Sequence, residues 1–173
     1  LFGTTAGFIN NIVTKFGIEV SYVSQTDLSE WRAAVKENTK LLFLETPSNP
    51  LNEVADLEAL SEIAHAAGAL LVVDNSFLSP VGQQPLKHGA DISVQSATKA
   101  IDGHGRVMGG VLSGSEELMT QVAMYCNSCG LAMSPFNAWV LLSGVETLSV
   151  RMEKQFAGAL KIARWLSEQP QVK

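Results

Sequence analysis

A chain of 173 residues with 46% hydrophobic and 17% charged residues carries enough apolar material for one substantial core and too little charge for disorder. Its 12 Lys and Arg against 17 Asp and Glu leave a formal charge of −5 with no block of like charge, which excludes the broad basic face of a nucleic-acid binder. No apolar run approaches the roughly 18 residues of a membrane-spanning helix and no basic leader precedes a short apolar stretch, so no membrane partner and a cytoplasmic location are expected.

Ile18 to Val23 alternates apolar and polar residues, which predicts a half-buried or edge strand. From Asp27, the residues Leu28, Trp31, Ala34 and Val35 recur at helical spacing, with Asp27 as N-cap and Glu30 at the acidic third position. Leu41 to Leu44 is a continuous apolar run ended by Glu45-Thr46-Pro47-Ser48-Asn49-Pro50, where two prolines stop any regular element. Asp56 caps the next helix, whose apolar face is Leu57, Leu60, Ile63, Ala64 and Ala67, and Gly68 stands in the stop position. Ala69 to Val73 reads as a central parallel strand. Further strands are predicted at Ile92 to Gln95 and Gly109 to Ser113, and helices at Ser115 to Met124 and from Ser134 to about Glu168 with a break near Gly144. Strands alternating with helices predict an α/β layered domain with a mostly parallel sheet.

In such sheets ligands gather beyond the carboxyl ends of the strands. Three polar groups follow apolar runs directly: Asn49 after Leu41 to Leu44, Asp74 after Leu70 to Val73, and Ser96-Ala97-Thr98-Lys99 after Ile92 to Gln95. Asp74 at the end of an apolar strand requires a cation or hydrogen-bond donors, unless it serves only as a turn acid for Asn75 to Phe77. Lys99 is flanked by small residues, hydroxyls and the glycines 103, 105, 109 and 110, a setting that admits a phosphate and suits an amine that forms a Schiff base. A carboxylate opposite that amine keeps a pyridine nitrogen protonated.

Four ordered motifs resemble the pyridoxal-phosphate enzymes of cysteine and methionine metabolism, the transsulfuration family of fold type I. They are Glu45 to Pro50, Val73 to Phe77, Asp91 to Lys99 with Gly103-His104, and Ser134 to Trp139. The resemblance implies a three-layer α/β fold with a mostly parallel sheet, the large cofactor-binding domain of that fold type. Residues 1–140 would form the central part of this domain, and residues 141–173 a helix leading towards a small C-terminal domain that is absent from the chain. It implies pyridoxal 5'-phosphate as cofactor, with Lys99 forming the internal aldimine and shuttling protons, Asp74 on the pyridine nitrogen, Asn49 on the ring hydroxyl side, Ser96 and Thr98 on the phosphate, and Ser76 behind them. Phe2, in Leu1-Phe2-Gly3-Thr4-Thr5, takes the place of an aromatic that stacks on the ring and is Tyr in most members; stacking survives the change, while the hydroxyl is lost. Ala100 is a second departure, where the family usually has an aromatic residue.

Phe2 together with Ile101 to Arg106 looks most like the branch that acts on O-succinylhomoserine with sulfide, giving homocysteine and succinate by γ-replacement. Cysteine as sulfur donor, elimination by water, and a non-catalytic truncated domain are the alternatives. By the same resemblance the partners are a small amino-acid substrate and a sulfur donor, and the assembly is a homotetramer built from dimers. The family also draws on an upstream phosphate-binding segment and a downstream arginine. The chain is therefore expected to be a fragment that by itself binds cofactor weakly and turns over poorly. Cys126-Asn127-Ser128-Cys129 has the spacing of metal and redox pairs but no further ligands beside it, so no metal is expected. His65 reads as a helix C-terminal cation or partly buried polar residue, His104 as structural, and Trp31, Trp139 and Trp165 as core or interface residues.

Overall fold

A computed structural model describes residues 1–172. Four strands, β1 (Leu41–Glu45), β2 (Leu70–Asp74), β3 (Ile92–Ser96) and β4 (Gly110–Gly114), form one sheet in the order β1-β2-β3-β4. The first three are parallel and β4 closes the edge antiparallel to β3. The helices are α1 (Gly3–Asn11), α2 (Leu28–Ala34), α3 (Leu57–Ala66), α4 (Ser79–Gly82), α5 (Glu116–Cys129), α6 (Pro135–Val145) and α7 (Leu148–Ser167).

Strand register sorts the side chains by face. Leu42 lies beside Leu71, and Leu44 beside Val73. Those residues meet Trp31 of α2 and Leu57, Leu60, Ile63 and Ala64 of α3 in the main core. Asp56 caps α3 as read from the sequence, accepting the Ala59 N–H at 3.0 Å, and Gly68 turns the chain into β2 at φ 66°. His65, in the last turn of α3, meets Asp91 Oδ2 at 3.0 Å, and the same oxygen accepts the Leu71 N–H at 2.7 Å, so one carboxylate ties the helix to the sheet. Leu71 is fully buried at the centre of this layer. Leu71→Ala is expected to lower the unfolding free energy by about 3 kcal/mol in denaturant titration; a loss under about 1 kcal/mol would show that this face is not the core.

Two expectations need correction. Ile18 to Val23 forms no regular element: among the described residues it has no pairing partner, and Ile18, Val20 and Tyr22 face solvent. Alternation specifies an extended chain, whereas a strand also requires a neighbour with which to share hydrogen bonds. The helix expected to end at Met124 continues to Cys129. Ser128 bonds its hydroxyl back to the Met124 carbonyl at 2.9 Å, and Gly130, at φ 72°, is the residue that stops it. Trp31 joins the core, while Trp139 and Trp165 are exposed on this chain. The break near Gly144 is present, between α6 and α7. Gly144 is needed there because a Cβ would strike the backbone carbonyls of Ile101 and Asp102.

Candidate active site

The three parallel strands end together in Glu45, Asp74 and Ser96. Glu45 is paired in register with Asp74, and Asp74 with Val94, so the two-residue period puts Glu45, Asp74 and Ser96 on one face. A hydrogen-bonded chain runs across these ends. The Ser96 N–H donates to Ser76 Oγ at 2.8 Å, and Ser76 donates both its hydroxyl (2.5 Å) and its N–H (3.0 Å) to Asp74 Oδ1. Asp74 Oδ2 takes no donor among the described residues, and the Ser96 hydroxyl has no partner among them either. The carboxylate is thus held at one oxygen and available at the other.

Ser96 leads directly into the turn Ala97–Ile101, which carries Lys99 with a non-helical backbone (φ −89°, ψ −115°). Ala97 and Ile101 are buried in a second core with Leu141, Leu148 and Met152, while the Lys99 side chain is exposed and forms no ion pair among the described residues. The lysine is therefore presented from two buried anchors. Thr98 is held by Gly109, whose N–H donates to Thr98 Oγ1 at 3.0 Å, while that hydroxyl donates to the Gly109 carbonyl at 3.3 Å.

Behind the turn, Arg151 of α7 donates to the carbonyls of Ala100 (2.8 Å), Ile101 (3.2 Å) and Gly144 (2.7 Å). Gly103, at φ 71°, has no room for a Cβ against that guanidinium. Asp102 is fully buried and accepts the Arg106 N–H (2.7 Å), the Arg106 Nε–H (2.8 Å) and the His104 N–H (3.4 Å). The Arg106 backbone bond foremost, with the Arg106 side chain and the His104 N–H, holds this carboxyl below the ordinary value of 3.8 against the opposing effect of burial. A carboxyl with a depressed folded pKa contributes stability that is complete above 3.8 and lost as pH falls through the lower folded value. Asp102→Asn should therefore lower the melting temperature at pH 7 and flatten its decline below pH 3.8, as read by thermal unfolding across pH. An unchanged acid limb would contradict this.

Glu45 is buried at 6% exposure, and its Oε2 accepts the Phe2 backbone N–H at 2.7 Å. Burial pushes its carboxyl above the usual range and the neighbouring Asp74 adds to this, while the Phe2 N–H works against it. Phe2 is thereby brought to the ends of β1 and β2, although the residue is 48% exposed. Asn49 sits half-buried in the loop after β1 and makes no side-chain hydrogen bond among the described residues. That loop is tied to the one after β2 by Gln83, whose amide donates to the Thr46 carbonyl and to Asn75 Oδ1, both at 3.0 Å.

A family model described as Cys/Met metabolism PLP-dependent enzyme matches residues 1–173. The chain belongs to this family. It is 53% identical over 170 residues to O-succinylhomoserine sulfhydrylase of Pseudomonas aeruginosa, covering 98% of this chain and 42% of that protein. It is 44% identical over 174 residues to a chloroplastic cystathionine beta-lyase of Arabidopsis thaliana, covering all of this chain and 38% of that one. Among solved structures, a cystathionine gamma-lyase from Lactobacillus plantarum in complex with L-serine superposes with a TM-score of 0.95 at 34% identity, over 99% of this chain and 45% of that chain. The chain thus spans less than half the length of these relatives.

The family's cofactor is pyridoxal phosphate, and the groups at the strand ends have the chemistry it requires. An exposed amine suits an aldehyde, a half-engaged carboxylate suits a ring cation, and neutral hydroxyl donors suit a phosphate. Sequence reasoning missed Glu45, the Arg151 contacts and the Asn75–Gln83 link. A signal for Glu45 was present: like Asp74, it is an acid directly after four apolar strand residues. Arg151 gave none, since it lies 50 residues beyond the carbonyl it binds at Ile101. Among the described residues no three His, Cys, Asp or Glu side chains come together to hold a metal ion.

Proposed function

We propose that this chain supplies the cofactor-binding core of an enzyme that replaces the γ-acyloxy group of O-succinylhomoserine with sulfide, forming homocysteine and releasing succinate. The observation that carries the reading is the Asp74–Ser76–Ser96 chain leading into the Lys99 turn. The 53% identity to the Pseudomonas sulfhydrylase supports this reaction. Because the chain spans 42% of that sulfhydrylase, the activity is assigned to a family-length polypeptide containing it. In that polypeptide residues 1–140 form the central part of the large domain and residues 141–173 lead towards the small one. The enzyme works as a cytoplasmic homotetramer built from dimers.

When bound, pyridoxal phosphate would supply an aldehyde for the substrate amine and an electron-withdrawing ring. Lys99 is the point of attachment, and its amine moves protons between adjacent substrate carbons. Asp74 offers Oδ2 to the ring nitrogen while Ser76 fixes Oδ1. Ser96 donates its hydroxyl to the phosphate, and Thr98 does so by turning its proton away from the Gly109 carbonyl. Asn49 meets the ring hydroxyl side, and Phe2 covers the ring face.

The test is to assay the family-length protein with O-succinyl- and O-acetylhomoserine, each with sulfide or cysteine. The expected result is homocysteine from the succinyl ester and sulfide, with kcat/KM about tenfold or more above every other combination. Cystathionine from cysteine, or an oxo acid released by elimination, would replace this reading with a synthase or lyase. No turnover of either ester would leave a non-catalytic domain.

A further inference from the structure

Glu45 ends β1 directly beside Asp74 and is buried at 6% exposure. A carboxyl there gives up most of its hydration next to a second carboxylate, an arrangement that costs free energy and that an amide or apolar residue would avoid. Among the described residues its carboxyl has one hydrogen-bond donor, the Phe2 backbone N–H, reached across 43 residues of sequence. Phe2 precedes α1, a helix with no buried residue, so packing does little to fix the ring. A bond of 2.7 Å from a peptide N–H to a carboxyl is at the strong end of such contacts.

We propose that Glu45 is a positioning residue, which holds the Phe2 peptide and so sets how the Phe2 ring lies over the ends of β1 and β2. The inference deepens the functional reading above and rests on it. The acid at this place serves the geometry of the aromatic residue, one step removed from the reacting atoms.

The test uses the family-length protein with pyridoxal phosphate bound and compares Glu45→Gln, Glu45→Met and Phe2→Ala. Glutamine keeps an oxygen acceptor, while methionine fills similar volume without one. Glu45→Met should speed hydrogen exchange of the Phe2 amide by about tenfold, and Glu45→Gln by no more than about threefold. The visible circular dichroism per bound cofactor should fall about twofold or more in Glu45→Met, approaching Phe2→Ala, and stay near wild type in Glu45→Gln. The double variant Glu45→Met/Phe2→Ala should match Phe2→Ala alone, because both changes remove the same ring contact. Wild-type exchange and dichroism in Glu45→Met, with the cofactor still trapped by borohydride on Lys99, would overturn this inference alone. A wild-type protein with no lysine adduct would overturn the functional reading and this inference with it. Should Glu45→Met not fold, Glu45→Gln decides: loss of the dichroic signal with the acceptor retained would contradict the proposal, and a near-wild-type signal supports it.

Discussion

Lys99→Ala should abolish the borohydride-stable adduct with pyridoxal phosphate in the family-length protein and lower turnover by at least about 10³-fold. The size of the effect follows from the two tasks assigned to one amine: attachment of the cofactor and transfer of protons between substrate carbons. Phe2 carries no hydroxyl, so it supplies no second proton carrier. The substitution should be structurally mild. The side chain is exposed and unpaired among the described residues, and the turn is fixed by Ala97, Ile101 and the Arg151 contacts to Ala100 and Ile101. An unchanged melting temperature with lost turnover is the expected pair of readings. Retention of about a tenth of wild-type activity or more would remove Lys99 from the reaction.

Asp74→Ala is expected to lower turnover by about 10²- to 10⁴-fold, with weaker retention of the cofactor on dialysis. A carboxylate facing a ring nitrogen keeps that nitrogen charged and strengthens electron withdrawal, which a neutral side chain cannot do. Here the carboxylate is also the terminal acceptor of the chain from Ser96 through Ser76. Its removal leaves the Ser76 hydroxyl and N–H to find other partners, so a modest loss of stability should accompany the loss of rate. Asp74→Asn separates the two effects, since it preserves an oxygen acceptor for Ser76 while removing the charge. Turnover in Asp74→Asn as low as in Asp74→Ala would show that charge dominates. Near-wild-type turnover in Asp74→Asn would contradict the assigned role.

Strands β1 and β2 were legible as continuous apolar runs and β3 as a short Ile-Ser-Val-Gln segment, and the helices because Asp27, Asp56, Ser115 and Ser134 cap them with side-chain oxygens. The placement of Asp74 and Lys99 at strand ends followed from the same runs. The alternation at Ile18 to Val23 misled because local pattern carries no information about whether a partner strand lies alongside. Glu30 illustrates the same limit in a cap. It does reach back at the start of α2, but to the Ser24 N–H at 2.7 Å rather than to the capping residue, because the preceding loop folds over the helix end. Arg151, Gln83 and Glu45 act through long-range contacts to backbone groups, and any residue type leaves a backbone carbonyl or N–H in place, so sequence spacing does not reveal them.

Lys99, in the turn that follows Ser96, is the proposed attachment point of pyridoxal phosphate. The most direct measurement is to add pyridoxal phosphate to the family-length protein, record the visible absorption, reduce with borohydride and map the labelled peptide. The account predicts a single adduct on the peptide containing Lys99. Labelling of a different lysine, or no label at all, would contradict it.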